Sequence, residues 1–281
     1  MIGSAVRKLG DGITGGRFSI DDDRLTRWTL SGLGLVLLIA FWEAVTTVLS
    51  LNPKYFPGPM GVVNELIRIW PAIVAALPNT LSAALVGYLL ALALSIVVAI
   101  PLVASDRILN ALMPFIIGTN TVPRIAMTPL VIYWVSFYSV SMLYLANYVM
   151  AVWVAFFPML IAAIDGFRSI DEDTENMLEV YGATTWQEFK YVRFKNGLPF
   201  IFDGMKIGFV LAMIGAVVGE FVSGTFGIGS QAASAIGRTS IARAFAIVLV
   251  LGLISTGVVL IVYLIESKMI FWRESSIMGD E

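Results

Sequence analysis

The chain has 281 residues, 58% of them hydrophobic and 14% charged, with a formal net charge of −2 and a mean hydropathy of +0.86. That composition excludes an ordinary soluble domain and describes a polytopic membrane protein, and the negative balance argues against nucleic acid as a partner. There is no cysteine and no histidine, which removes disulfides, thiolate metal sites and the usual general base together. No phosphate-cradling G-x-x-x-x-G-K-[ST] run occurs, so any use of ATP must come from a partner.

Residues 1–27 are polar and hold Arg7, Lys8, Arg17, Arg24 and Arg27. No signal-peptide core follows the first basic residues, which reads as a retained cytosolic tail. The first span is expected over 28–50. Glu43 lies inside it, either as a functional or partner-facing carboxylate or near the outer interface with water in reach. Pro57 and Pro59 then open an amphipathic helix through Val62, Val63, Leu66, Ile67 and Trp70, expected to lie on the outer surface rather than cross. The second span is expected over 77–104, with a tight inner turn at Ser105, Asp106 and Arg107. The third, 109–135, is interrupted at Pro114, Pro123 and Pro129, and the carbonyls so freed need cover from protein or a water-filled path. Arg124 sits near its middle, one turn after Asn120, and two readings stand. Asn120, Pro123 and Arg124, with Glu220, mark a translocation path that favours an anion; or Arg124 caps the freed carbonyls or pairs with Glu43 or Glu220. A fourth span, 139–164, is rich in aromatics suited to packing and interface anchoring.

Residues 165–199 form the only long polar run. Asp171, Glu172 and Asp173 put negative charge where a helix N-terminus favours it. Gly182 stops that helix at a position that needs positive φ. The run from Thr185 to Glu188 has capping-box spacing, so a second short helix starts at once. Pro199 is placed to open the next helix. Two short helices joined by a glycine elbow result, with Met177, Leu178, Tyr181, Trp186 and Phe189 as apolar knobs; the alternative is a solvated loop with helical tendency. The fifth span, 200–222, carries Gly204, Gly208, Gly215 and Gly219, a smooth strip for close helix approach. A short surface helix is expected over 230–242 and a sixth span over 244–266. Thirteen of the 18 Lys and Arg residues fall on the segments 1–27, 105–110, 165–206 and 267–281, against four on 51–76 and 223–243. That bias places both termini and the elbow in the cytosol.

The run from Leu178 through Gly182, Ala183, Thr185, Trp186 and Phe189 to Leu198 and Pro199 resembles the cytoplasmic "EAA" loop of permease subunits of binding-protein-dependent ABC importers. The family's Glu-Ala-Ala falls here on Asn176, Met177 and Leu178, and an earlier Leu-Pro on Phe194 and Lys195. The aromatic-Pro-x-Pro segment at Phe56–Pro59 and the start of the second span at Asn79, Thr80 and Leu81 are similar to the nitrate/sulfonate/taurine branch. Glu220 and the glycines at 227 and 229 look like the family's glutamate and Gly-x-Gly after the fifth span.

The resemblance implies an all-α integral membrane protein with six transmembrane helices in the type I ABC importer permease fold. It would have a cytosolic tail at 1–27, a permease domain at 28–266 with its coupling loop at 165–199, and a second tail at 267–281. It implies a non-enzymatic subunit of the bacterial plasma (inner) membrane that imports a small anionic solute such as nitrate, bicarbonate, a sulfonate or taurine. Expected partners are two ABC ATPase subunits holding ATP and magnesium, a second permease copy forming a homodimer, an external solute-binding protein and membrane lipid. The resemblance assigns ATPase contact to Met177, Leu178, Tyr181, Gly182, Ala183, Thr185, Trp186, Phe189, Leu198 and Pro199. An ion-coupled secondary transporter is the alternative; it would call for internal repeats and titratable midplane residues, whereas the one midplane charge is Arg124.

Overall fold

Small residues decide how closely the helices of this chain approach one another. The computed structural model describes residues 20–238 and 240–270, with side chains described at 29, 30 and from 32 onward in that range. The expected tails therefore fall outside the described residues over 1–19 and 271–281. Among the described residues every regular element is helical. Two compact units are distinguished, divided after Gly61.

The first unit holds α1 (Ile20–Val48), which starts inside the expected polar tail and carries a shorter apolar stretch, Gly32–Val48. Within this unit Glu43 is exposed and lies beside Gly58.

The second unit is built on α2 (Pro59–Val103), α5 (Leu145–Phe167) and α8 (Phe194–Ser223). The glycines of α8 lie on one face and meet α5 in antiparallel order. Gly204 faces Ala162, Gly208 faces Met159, Gly215 faces Met150 and Ala151, and Gly219 faces Asn147. A Cβ at Gly215 would stand 2.8 Å from the Ala151 Cα, so the two backbones touch where any side chain would part them. The strip expected from sequence is thus packed within the subunit. Gly87 brings α2 against Ala151 in the same way, and an alanine-rich core including Ala84, Ala91, Ala155, Ala212 and Ala216 closes around the three helices. Tyr88 meets Phe209 edge-on at 5.5 Å. Close approach of this kind gains dispersion contacts that lipid tails would not supply.

The amphipathic helix expected to lie on the surface is continuous with the second span: α2 runs unbroken for 45 residues through Pro71 and Pro78. Both prolines stand on its exposed face, while Ile69, Ile73, Ala76 and Thr80 are buried on the other. Each proline therefore strips a hydrogen bond from the side that carries no packing.

The third span breaks once. Helices α3 (Asp106–Thr121) and α4 (Thr128–Tyr138) are joined by a 3-10 turn, Arg124–Met127, and the pair is bent by 84°. Val122 is extended before Pro123, the conformation that a following proline favours. Pro114 passes inside α3 and Pro129 sits in the first turn of α4, where no amide hydrogen is needed. Only the middle proline makes a break. After a second 3-10 turn, Val140–Met142, α5 begins six residues later than expected.

The elbow helices α6 (Glu172–Val180) and α7 (Thr185–Glu188) follow, then α8, α9 (Ile228–Gly237) and α10 (Ile241–Met269). Lys206 of α8 reaches Glu266 of α10 at 2.5 Å, and Gln231 of α9 donates to the Ala72 carbonyl of α2 at 2.9 Å. Among the described residues four helices are long and apolar enough to cross a membrane, and the bent pair makes a fifth crossing if counted as one span.

Gly215→Ala is expected to cost about 1–3 kcal/mol or more, since backbone rather than a flexible side chain stands in the way. Gly118→Ala, where nothing lies within 4 Å of the added carbon, should leave the yield of monodisperse protein in size-exclusion chromatography unchanged. Equal yields of the two variants would refute backbone contact as the basis of the α5–α8 pair.

Candidate functional site

The elbow is built by local rules. Asp171 caps α6, its Oδ1 accepting from the Thr174 amide at 2.9 Å. Hydrogen bonds from Thr174 hold the Asp171 carboxyl below its ordinary value, so the cap is fully formed at neutral pH and is lost only as pH falls through that lowered value. Helix α6 ends as expected at Gly182, with φ +66°. The Gly182 amide donates to the Glu179 carbonyl and the Ala183 amide to that of Leu178, both at 3.0 Å, which is the Schellman arrangement.

The capping box of α7 lies one residue earlier than expected. Thr184 Oγ1 accepts from the Gln187 amide at 3.3 Å, and Gln187 Oε1 accepts from the Thr184 amide at 2.9 Å. Both Thr184/Gln187 and Thr185/Glu188 have the required spacing, but the Glu188 carboxylate is taken by Arg193. Pro199 also departs from expectation. The helix runs on from α7 through a π turn, Phe189–Arg193, and Pro199 is the sixth residue of α8 rather than its start. The carbonyl it deprives of a donor belongs to Lys195, an exposed residue.

The expected contact residues divide into two sets. Met177, Tyr181, Gly182, Thr185 and Trp186 are exposed, joined by Val180 and Tyr191, which sequence reasoning passed over. Leu178, Ala183, Phe189, Leu198 and Pro199 are half-buried. Phe189 roots the elbow, its ring 5.1 Å from that of the fully buried Phe167 and stacked 6.2 Å from Trp186. Leu198 packs beside Phe202, Val262 and Ile270.

Arg193 ties this assembly together. Its guanidinium pairs with Glu188, pairs with Glu175 of α6 at 2.9 Å, and donates to the Phe167 carbonyl at the end of α5 at 3.3 Å. One side chain, about 20% exposed, therefore joins α5, α6 and the π turn. The signal available in sequence is weak: a lone arginine after an acidic helix, 18 residues from its partner.

The expected path residues also divide. Asn120, Pro123 and Arg124 meet at the break between α3 and α4. Arg124 bonds the Asn120 side-chain oxygen and reaches the carbonyls of Asn120 and, on α5, Val154, each at 3.4 Å. Glu220 lies elsewhere, fully buried. Its Oε2 accepts from the Thr80 hydroxyl at 2.9 Å and from the Gly229 amide at 2.8 Å, while Thr80 Oγ1 accepts from the Ile228 amide at 2.9 Å. Glu220 thus fastens the N-terminus of α9, where free amides and the helix dipole favour an acceptor. Thr80 was not singled out as a site residue from sequence, because its partner is 140 residues away.

Apolar crossing helices, a glycine-packed core and an elbow bearing exposed aromatics define a multi-pass membrane protein. Residues 91–271 match the family of binding-protein-dependent transport system inner membrane components. The chain belongs to that family, in its nitrate/sulfonate/taurine branch. It is a multi-pass permease component of the inner membrane, in a class of transport system that works with an ATPase and a binding protein. It is 32% identical to the riboflavin transport system permease protein of Chloroflexus aurantiacus, over 88% of this chain and 92% of that one. It is 28% identical to the formylaminopyrimidine transport permease protein of Halalkalibacterium halodurans, covering 70% and 77%. To the taurine transport system permease protein of Escherichia coli the identity is 27%, covering 74% and 79%.

Arg193→Gln should loosen the elbow by about 1–3 kcal/mol, because two carboxylates and a carbonyl lose their donor. Amide hydrogen exchange over 172–188 is expected to speed up roughly tenfold per 1.4 kcal/mol, with α5 and α8 unaffected; unchanged exchange would remove the latch. Arg124→Gln should lower the yield of folded protein, and Arg124→Lys should restore part of it, read by fluorescence-detected size exclusion. A full yield from the glutamine variant would show that the break needs no guanidinium.

Proposed function

We propose that the chain is the pore-forming subunit of an ATP-driven importer and that its elbow seats in a cleft of a separate ABC ATPase. The observation that carries this reading is the pair of exposed aromatics, Tyr181 and Trp186, held on an elbow that Arg193 locks to α5 and that runs into α8 without a break in the helix. An exposed apolar surface on a rigid support suits a protein partner better than water. ATP and magnesium belong to that partner. Two copies of this chain would pair to form the path, each seating one ATPase subunit, and an external solute-binding protein would deliver cargo to the other face. The distribution of Lys and Arg supports a cytosolic position for the elbow and both termini.

Closure of the ATPase pair on ATP would draw the two elbows together. Each elbow would move its α8, and α5 would follow through the glycine contacts. The two access states then differ in free energy because ATP binds one face and the loaded binding protein the other. Nothing in that cycle asks for catalysis by this chain. The ion-coupled alternative gains no support from Arg124 or Glu220, which are each held by uncharged partners. The same engagement of Arg124 weakens the case for an anion as cargo. The names of the relatives run from taurine to riboflavin and formylaminopyrimidine, which fits a small polar solute without a fixed counter-ion.

Trp186→Ala and Tyr181→Ala together should weaken ATPase association by about 2 kcal/mol, roughly thirtyfold. Gly182→Val should retain the spans and lose transport, because a β-branched residue resists positive φ. Normal ATPase co-purification with the double variant would overturn docking through the elbow.

A further inference from the structure

The end of the α5–α8 pair remote from the elbow opens into a cavity of about 410 Å³, within the range of small-molecule sites. Its walls come from Asn79 of α2, Ser141 of the 3-10 turn, Tyr144, Asn147 and Tyr148 where α5 begins, and the segment 223–226 that follows α8. None of its described lining residues is charged.

The floor is a closed network. Asn147 is 4% exposed, and its Nδ2 donates to Thr225 Oγ1 at 2.9 Å. Its Oδ1 accepts from Ser223 Oγ at 3.4 Å. The hydroxyls of Ser223 and Thr225 stand 2.8 Å apart. A buried amide engaged at both ends is held in one orientation. The wall segment is also fixed: Gly224 ends α8 with φ +70°, and Glu220 grips the Gly229 amide just beyond. To one side Tyr148 shares a hydrogen bond with Ser82 at 3.0 Å and meets the half-exposed ring of Tyr144 edge-on at 6.4 Å.

This chemistry selects by what it lacks. A bare anion would need a cation or a cluster of amide donors, and a metal or ammonium ion would need carboxylates. Hydroxyls and amides that both donate and accept, set beside aromatic rings, instead match a flat uncharged ring bearing its own N–H and C=O groups. We propose that this cavity is a transient site for an uncharged planar heterocycle passing through the permease. The inference rests on the permease reading and adds the class of solute to it.

The test uses the full chain in lipid nanodiscs at neutral pH, with uracil and riboflavin as probes and methanesulfonate and taurine as charged comparators, followed by ligand-observed saturation-transfer NMR. Saturable binding of at least one heterocycle is expected, weakened tenfold or more by Tyr144→Ala and by Thr225→Val, with neither comparator binding. Tyr144 is half exposed, so that variant should fold even where loss of the Thr225 hydroxyl disturbs the floor; size exclusion checks both. No saturable heterocycle binding overturns the site, as does binding that both folded variants retain in full. Methanesulfonate or taurine binding lost in the same variants overturns the solute class. ATPase association is read separately through the elbow, so a chain that holds its ATPase but binds no heterocycle refutes this site and leaves the permease reading standing.

Discussion

Both ends of the second unit depend on one contact, the backbone-to-backbone approach of α5 and α8. The elbow leaves the end of α5 and returns into α8, so its base is no steadier than the pair it springs from. The polar cavity forms where the same two helices end on the other side. Glycine at 204, 208, 215 and 219 contributes almost no apolar area of its own. Its value lies in what it permits: Met159, Ala162 and Ala151 pack onto the α8 backbone itself. In a membrane, where apolar burial between helices gains little over contact with lipid, such fit is the main source of specific association.

A rod follows from that contact. The helical stretch from Thr185 to Ser223 covers 39 residues, roughly 60 Å at 1.5 Å per residue. One end carries the exposed aromatics of the elbow; the other leads into the wall of the polar cavity. A displacement at the elbow therefore need not pass through a chain of side-chain rearrangements to be felt at the far end. The π turn at Phe189–Arg193 is the one irregular place along it, and Arg193 sits in that turn, bound to both neighbouring elements. The latch thus stands where a continuous rod would otherwise be free to bend.

What could be read from the residues alone was what is written locally. The acidic run at Asp171–Asp173 as a helix start, Gly182 as a left-handed stop and the glycine strip each follow from a rule spanning a few residues, and each is found in place. Helix continuity was harder, because proline marks a possible break and not an actual one. Pro71, Pro78, Pro114 and Pro199 all pass inside helices, and only Pro123 breaks one. The exposed side of α2 absorbs two of these prolines, which no local pattern announces. Long-range partners were invisible for a different reason. Arg193 with Glu175, and Glu220 with Thr80, become neighbours only once the helices are packed, and a single sequence holds no trace of that meeting. The one-residue shift of the capping box shows the same thing in miniature: two boxes were equally good locally, and a tertiary ion pair removed one.

Two of the charged residues inside the spans, Arg124 and Glu220, show how irregular backbone is covered. A charge in hydrocarbon costs at least a few kcal/mol unless it is paired or hydrogen-bonded, and the obvious economy is to pair Arg124 with Glu220. The protein does otherwise. Each is held by uncharged groups near a place where helical backbone stops: Arg124 by the carbonyls and amide around the 84° break, Glu220 through one oxygen by the Thr80 hydroxyl and the Gly229 amide at the start of α9. Spending each charge on a local discontinuity keeps broken backbone covered in hydrocarbon and leaves the helices free of a strong cross-link at these two positions. On this view these charges are what allow the chain to be irregular where it must turn, while the glycine contact keeps it regular between those turns.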